Sequence, residues 1–419
     1  MKKVALLIIL IFNMNLYSTP VFAKSMNTEP VIDAKAAYAI DADTGKILFD
    51  QNGEQPLPIA SITKILSLYL VFEAVQAGDI SWSDPIEISD YLHNISLSPE
   101  LSNVPLYQDT TYTVRDAFEA AAISSANAAT IALAKTVAGS EPEFVDLMMA
   151  KLKSWGISDA YLVTSTGLDN DSMEGHIYPG SSINDVNRMS AKSIAIVARH
   201  LIQDFPEYLE ISQVSEKVFG EQSAHPFPMT NSNHMLYDYS VYREGVDGLK
   251  TGTTDKAGAC FVGTIQSENY RLITVVLNAH QHEVNNNARF IETNKLIDFV
   301  EHNWSLETVL KKHDPATPAS SAVENGKETS VQLILENDVS IWVPNNADVH
   351  TSLELTEEKL SAPLAKETVV GTQKAYVPSD ELGYIDGTKE NNQTNVLTET
   401  AVDKANIFVL FWRALTNLF

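Results

Sequence analysis

The stretch that most constrains this chain is Pro58-Ile59-Ala60-Ser61-Ile62-Thr63-Lys64, with the apolar run Ile65 to Val75 behind it. Pro58 cannot extend a helix backwards, so a helix over the run is expected to begin at Ser61 and to end at Gly78. Residues three apart on a helix share a face, which points Ser61 and Lys64 the same way. A serine hydroxyl is a weak nucleophile at neutral pH until a base takes its proton. A lysine amine one turn away can be that base once burial or a cationic neighbour lowers its pKa. The positive end of the helix dipole also favours an alkoxide-like oxygen there. The competing reading of the pair is an N-cap serine beside a solvated lysine.

Two more stretches decide between these readings. Ser125-Ala126-Asn127 sits in an alanine-rich segment, and Lys250-Thr251-Gly252-Thr253 is followed by Thr254-Asp255-Lys256-Ala257-Gly258. Ser-x-x-Lys, Ser-x-Asn and Lys-Thr-Gly, in that order, resemble the motifs of the penicillin-binding serine enzymes. The longer Lys-Thr-Gly-Thr-Thr-Asp-Lys-Ala-Gly run resembles the low-molecular-mass D-alanyl-D-alanine carboxypeptidases of the penicillin-binding/β-lactamase superfamily. Ser182-Ile183-Asn184 matches the second motif too, but it lies beside Pro179-Gly180-Ser181 and reads as a loop. Thr166-Gly167-Leu168 is similar to the family's Asn-x-x-Gly-Leu stretch, with Thr164 where asparagine is usual. Asn231 to Leu236 resembles its Thr-Asn-x-Leu-Leu segment loosely.

The resemblance implies a set of roles. Ser61 is the nucleophile and Lys64 its base, Ser125 relays a proton to the leaving amine, and Asn127 positions Lys64 and the substrate amide. Lys250 lowers the pKa of Lys64, and the backbone N–H groups of Ser61 and Thr253 form the oxyanion hole. Lys250, Thr251, Gly252 and Thr253 bind a terminal carboxylate. The implied substrate is a peptidoglycan stem peptide ending in D-Ala-D-Ala, with β-lactams as covalent inhibitors and no metal or cofactor. A β-lactamase, a weak transpeptidase and a non-catalytic wall-binding or β-lactam-sensing module are the alternatives. A binding module has no need of a nucleophile with its base, and the chain has no Glu-x-x-[Leu/Met]-Asn pattern to serve a β-lactamase.

Composition narrows the partners. With 29 Lys+Arg against 54 Asp+Glu the formal charge is −25, which argues against nucleic acid, whose phosphates need a basic face. The one cysteine, Cys260, excludes an internal disulfide and reads as a buried core thiol. His280 and His282, two apart, suit a strand rather than a metal site.

The layout is expected to be α+β: an antiparallel sheet flanked by helices, then a small β-rich domain and a terminal amphipathic helix. Residues 1–23 read as a secretory signal, from Lys2 and Lys3 through the apolar Val4–Phe12 to Val21-Phe22-Ala23. The peptidase domain takes 24–304. Within it, 79–112 reads as irregular, Thr113-Val114-Arg115-Asp116 as a capping box, and Ser124 to Asn127 as a break between two helices. The β-rich domain takes 305–395, entered through a Pro/Ala/Ser linker over Pro315–Ser321. Residues 402–419 read as an interfacial helix, with Asp403, Asn406, Arg413 and Asn417 on a polar stripe and Arg413 toward anionic lipid. The expected place of work is the extracytoplasmic face of a bacterial membrane, with the membrane surface as a partner.

Overall fold

The computed structural model describes residues 31–357, 359–385 and 392–416; the expected signal lies outside them. The chain opens as an antiparallel hairpin, β1 (Ala34–Asp41) and β2 (Ile47–Gln51). β3 (Leu57–Pro58) leads into a 3-10 turn, Ala60–Thr63, and then α1 (Lys64–Ala77). The α-helix therefore starts later than expected, and Ser61 sits in the turn before it. The bonds Ile62 N–H to Ile59 O and Thr63 Oγ1–H to Ala60 O close that tighter turn. α1 buries residues on every side, Ile65, Leu66, Leu68, Val71 and Phe72 among them, and Gly78 ends it at φ +79°. A helix apolar all round has to lie inside the protein. Phe72 stacks on Phe205 at 4.8 Å and meets Trp82 and Phe118 edge-on.

α2 (Asp90–Ser96) interrupts the stretch expected to be irregular. α3 (Val114–Ile123) opens on the Thr113–Asp116 capping box. The chain breaks at Ser124–Ala126 and resumes as α4 (Asn127–Ala138), and α5 (Glu141–Ser154) starts behind the cap of Ser140. β4 (Arg188–Met189) pairs with β3, Ser190 caps α6 (Ala191–Asp204), and α7 (Tyr208–Ser212) follows. A second hairpin, β5 (Glu216–Phe219) with β6 (Phe227–Thr230), has too few apolar residues to stand out in the sequence. Then come β7 (Val246–Thr254), β8 (Gly258–Gln266), β9 (Arg271–Ala279) and α8 (Ala288–Asn303). His280 and His282 fall in the turn after β9, not on a strand.

The main sheet runs β2-β1-β9-β8-β7, antiparallel throughout. Alternate residues feed two cores, one with α1, α3, α4 and α6 on one face, the other with Phe290, Leu296 and Ile297 of α8 on the opposite face. β7 is an edge strand, and it lies against the 3-10 turn that carries Ser61.

Beyond α8 the chain is β-rich. β10 (Trp304–Leu310) pairs with β13 (Val339–Pro344). β11 (Pro315–Glu324), β12 (Ser330–Leu335), β14 (His350–Leu355), β15 (Leu360–Ser361), β16 (Val369–Tyr376) and β17 (Gln393–Thr398) form a sheet ordered β14-β16-β17-β12-β11-β15. Pro315–Ser321 is thus a strand, not a linker. Its prolines are tolerated because the pairing with β12 is irregular between Pro315 and Ser320. Val402 is buried and bridges to Leu364, so the chain at 402 still belongs to the β-rich core. The terminal helix, α9, is Ile407–Thr416; Asn417 lies outside the described residues.

A buried cation ties the two parts together. Lys46 is 1 % exposed. Its Nζ lies 3.0 Å from the Asp380 carboxylate, donates to Ile47 O (2.6 Å) and Gly383 O (3.0 Å), and sits 4.8 Å over the Trp304 ring. Beside it Ile47 N–H reaches Gly383 O and Ile385 N–H reaches Gly45 O, so 383–385 lines the free edge of β2. Burial pushes the Lys46 amine down from its usual range, and Asp380 works against that. Asp380→Ala leaves the cation without its carboxylate and should cost about 3–5 kcal/mol in urea unfolding. Adding Lys46→Met to that variant should recover most of the loss.

Candidate active site

Lys64, at the start of the apolar α1, is fully buried, at 0 % exposure. Its Nζ is 2.9 Å from Ser61 Oγ, 2.7 Å from Asn127 Oδ1 and 2.9 Å from Thr166 O. Burial first, and then the charge of Lys250, pushes the Lys64 amine well below its usual range. In the neutral amine, two N–H donors suit Asn127 and Thr166. The lone pair is then left for the Ser61 hydroxyl. Ser61 itself is half-buried, so its oxygen can meet a ligand.

Asn127 is held as firmly. As the first residue of α4 it donates both its backbone N–H and Nδ2 to Ser102 O, at 2.9 and 3.0 Å. Ser125, two residues before, has φ +57°, a left-handed conformation that serine adopts at a cost. Its Oγ is buried and has no hydrogen-bond partner among the described residues. A buried hydroxyl left open is a place for a ligand or a transferred proton to go.

β7 forms the opposite wall. Lys250 is buried, its Nζ donates to the carbonyl of Thr251 at 3.2 Å, and burial with the charge of Arg289 brings its pKa down to about 7. Thr251 Oγ1 bonds Ser232 Oγ. Thr253 is exposed at the end of the strand. The structure thus brings Ser61, Lys64 and Asn127 into direct contact, with Ser125 and Lys250 beside them. Ser182-Ile183-Asn184 stays exposed in its loop. Cys260 is buried under Pro58, its thiol pushed up to about 11 by burial, which makes it unreactive.

Two glycines let backbone press on the turn that bears the nucleophile. A Cβ at Gly252 would lie 2.7 Å from Ile59 O, and one at Gly167, which has φ +81°, would lie 1.8 Å from Ala60 O. Thr164, where asparagine is usual in the family, closes this loop on itself. Its Oγ1 accepts from Gly167 N–H and donates to Leu168 O. Asn187 closes the arrangement, accepting from the N–H groups of Val163 and Thr164 and donating to Thr164 O and Thr63 Oγ1.

Two further residues escape sequence reasoning. Arg289 of α8 donates to Gly252 O (2.9 Å), Cys260 O (3.1 Å) and Thr253 Oγ1 (2.7 Å), placing a guanidinium at the end of the Lys-Thr-Gly strand. Its Nε is buried with no hydrogen-bond partner among the described residues. Nothing in the local sequence of α8 marks it. Ser232 is legible only as part of the segment before β7.

Comparison with known proteins gives these findings. A profile of the D-alanyl-D-alanine carboxypeptidase family matches residues 23–281, and one of the penicillin-binding protein 5 C-terminal domain matches 304–404. The chain is similar to the D-alanyl-D-alanine carboxypeptidase DacC of Escherichia coli, 31% identical over 366 residues, covering 85% of this chain and 84% of that one. Among solved structures it is similar to a peptidoglycan synthesis regulatory factor (PBP3) from Streptococcus pneumoniae. There the TM-score is 0.75 and the identity 39%, over 89% of this chain and 100% of that one. It is also similar to penicillin-binding protein D2 from Listeria monocytogenes in an ampicillin-bound form. That match has a TM-score of 0.53 and 29% identity, over 65% of this chain and 98% of that one.

The glycine contacts can be tested by pairing two substitutions. Gly156 also has positive φ, but a Cβ there meets nothing within 4 Å. Gly156→Ala should therefore cost only about 1–2 kcal/mol, the price of the backbone conformation. Gly167→Ala should cost more than that in thermal unfolding, and it should also suppress labelling of Ser61 by a fluorescent penicillin.

Proposed function

This chain belongs to the D-alanyl-D-alanine carboxypeptidase family, and on that premise we propose that it removes the terminal D-alanine from peptidoglycan stem peptides through an acyl-enzyme on Ser61. The observation that carries this reading is the Lys64 amine, buried, shifted down, and 2.9 Å from Ser61 Oγ.

The steps of this reading are as follows. Ser61 Oγ attacks the carbonyl carbon of the penultimate D-alanine while Lys64 Nζ takes the hydroxyl proton. The C=O electron pair moves onto oxygen, where the N–H groups of Ser61 and Thr253 receive it; one such donor is worth about 3 kcal/mol. The pair returns, the C–N bond breaks, and the leaving amine takes a proton relayed through the open Ser125 hydroxyl. Water then cleaves the ester by the reverse proton path and restores Ser61. Asn127 holds Lys64 throughout and faces the substrate amide. A β-lactam acylates Ser61 in the same way, but its leaving nitrogen stays tethered. Ser61→Ala should lose all labelling by a fluorescent penicillin, and Lys64→Ala nearly all, since residues acting as a unit are not additive. Normal labelling of either variant would overturn the mechanism.

The terminal carboxylate is recognised by Lys250, Thr251 and Thr253, with Arg289 adding a second cation at the strand end. Lys250 titrates at about 7 and is a cation below that pH. The preference in kcat/KM for a free carboxylate over its amide should therefore be largest below pH 7, and should decline as pH rises through it. It should not vanish, because Arg289 keeps its charge. In Lys250→Ala the step near pH 7 should disappear, with a loss of about 1.5–3 kcal/mol on the free carboxylate.

The enzyme works outside the cytoplasmic membrane, delivered by the Met1–Ala23 signal and held at the membrane surface by α9. Ile407, Phe408, Phe411 and Trp412 of α9 face outward, with Phe408 82% and Trp412 68% exposed, an apolar face suited to the headgroup boundary. Arg413, expected near anionic lipid, also ties the helix to the rest of the chain. Its guanidinium donates to Gly326 O (2.8 Å) and Lys327 O (2.7 Å) of the β-rich domain. Deletion from Ile407 onward should release the enzyme from vesicles with its activity on small peptides intact. A truncated protein that still sediments with vesicles would sink the anchor.

A further inference from the structure

Glu141 stands outside every motif, in the first turn of α5, yet its carboxylate reaches toward the site. Oε1 accepts from Ser165 N–H at 3.0 Å and from Ser165 Oγ–H at 2.7 Å. Ser67 of α1, one turn beyond Lys64, donates its hydroxyl to Ser165 O. All the polar atoms of Ser165 are thus engaged, two by α5 and one by α1. The next residue, Thr166, gives its carbonyl to Lys64 Nζ at 2.9 Å.

We propose that Glu141 is a positioning residue for the Lys64 amine: its carboxylate clamps Ser165 so that the Thr166 carbonyl orients Nζ toward Ser61. The proposal rests on Lys64 being the base. Without the clamp, Ser165 keeps only its tie to Ser67, and the Thr166 peptide can turn away. Lys64 would then lose one of its two fixed acceptors, and its lone pair would no longer be aimed.

The carboxylate has a second effect through its charge. Among the described residues the charged groups that act on Lys64 are Lys250 of β7, which lowers its pKa, and Glu141, which raises it. Behind them, Arg289 of α8 acts on Lys250. The Tyr91 hydroxyl of α2, buried and without a hydrogen-bond partner among the described residues, feels the charges of Glu141 and Glu174. Burial raises the pKa of Glu141, while the bonds from Ser165 favour its charged form. A carboxylate there stabilises the ammonium form of Lys64, so removing its charge must lower the pH at which the free base appears.

Two variants separate the effects, read by the second-order rate of Ser61 acylation with a fluorescent penicillin from pH 5 to 9. Glu141→Gln keeps an oxygen acceptor for Ser165 and removes the charge. Its acid limb should move to lower pH by about 0.5 unit or more, a change that a purely structural role would not produce. Glu141→Ala removes the clamp as well and should slow acylation about 10- to 100-fold at the pH optimum. An unmoved or upward-shifted acid limb in Glu141→Gln, or a wild-type rate in Glu141→Ala, would overturn the proposal. Lys64→Ala run alongside tells the two readings apart. If it acylates, the assignment of the base fails; if it is dead while both Glu141 variants behave as wild type, only the positioning role fails.

Discussion

The cost of keeping a lysine amine out of water organises this molecule. An ammonium at the depth of Lys64, without a carboxylate in contact, is far less stable than the neutral amine. The helix that carries it is apolar on every side and cannot turn it toward solvent. Two neutral oxygens, from Asn127 and Thr166, satisfy the N–H groups of the free base without stabilising the cation as a bound carboxylate would. Lys250 across the cleft adds repulsion. The packing that builds the core thus also makes the base, and the same helix serves stability and chemistry at once.

Much of this was legible in the sequence because the central contacts are local or carried in short motifs. The spacing of Ser61 and Lys64 already places them within reach, and Ser125 and Asn127 advertise themselves by breaking an alanine-rich helix. Lys250 is found from its Thr-Gly neighbours. What could not be read are contacts made by the fold alone. Glu141, Asn187 and Arg289 come from elements far apart in the chain, and each sits in a stretch that would read equally well as a solvated helix end, a loop or an exposed face. Pro315–Ser321 misled for a different reason: its composition is that of a linker, and only an irregular pairing lets it serve as a strand. The terminal helix was legible as an amphipathic element but not in its attachment, because Arg413 finds backbone carbonyls that no side-chain pattern reveals.

The nucleophile turn shows how tertiary structure corrected a local expectation. Proline and serine signals pointed to a helix start at Ser61, and the chain instead forms a 3-10 turn held by Thr63 and pressed by backbone at Gly167 and Gly252. The displacement moves the serine off the helix proper while leaving it within reach of Lys64 Nζ. A side chain in a tight, supported turn has less freedom to wander than one at a fraying helix end.

The Lys46 contact bears on how far this protein can be taken apart. The Listeria structure matches 65% of the present chain with 98% of its own length, which invites cutting a shorter unit from this chain. Here the separation would not be clean. Severed after α8, the first unit would keep Lys46 beside Ile47 O but lose Asp380, Gly383 and Trp304, and the free edge of β2 would be uncovered. Uncovered strand edges invite pairing with other chains. Residues 383–385 thus cover the edge of β2, and a version cut after α8 would need a new residue at position 46 and a blunted β2.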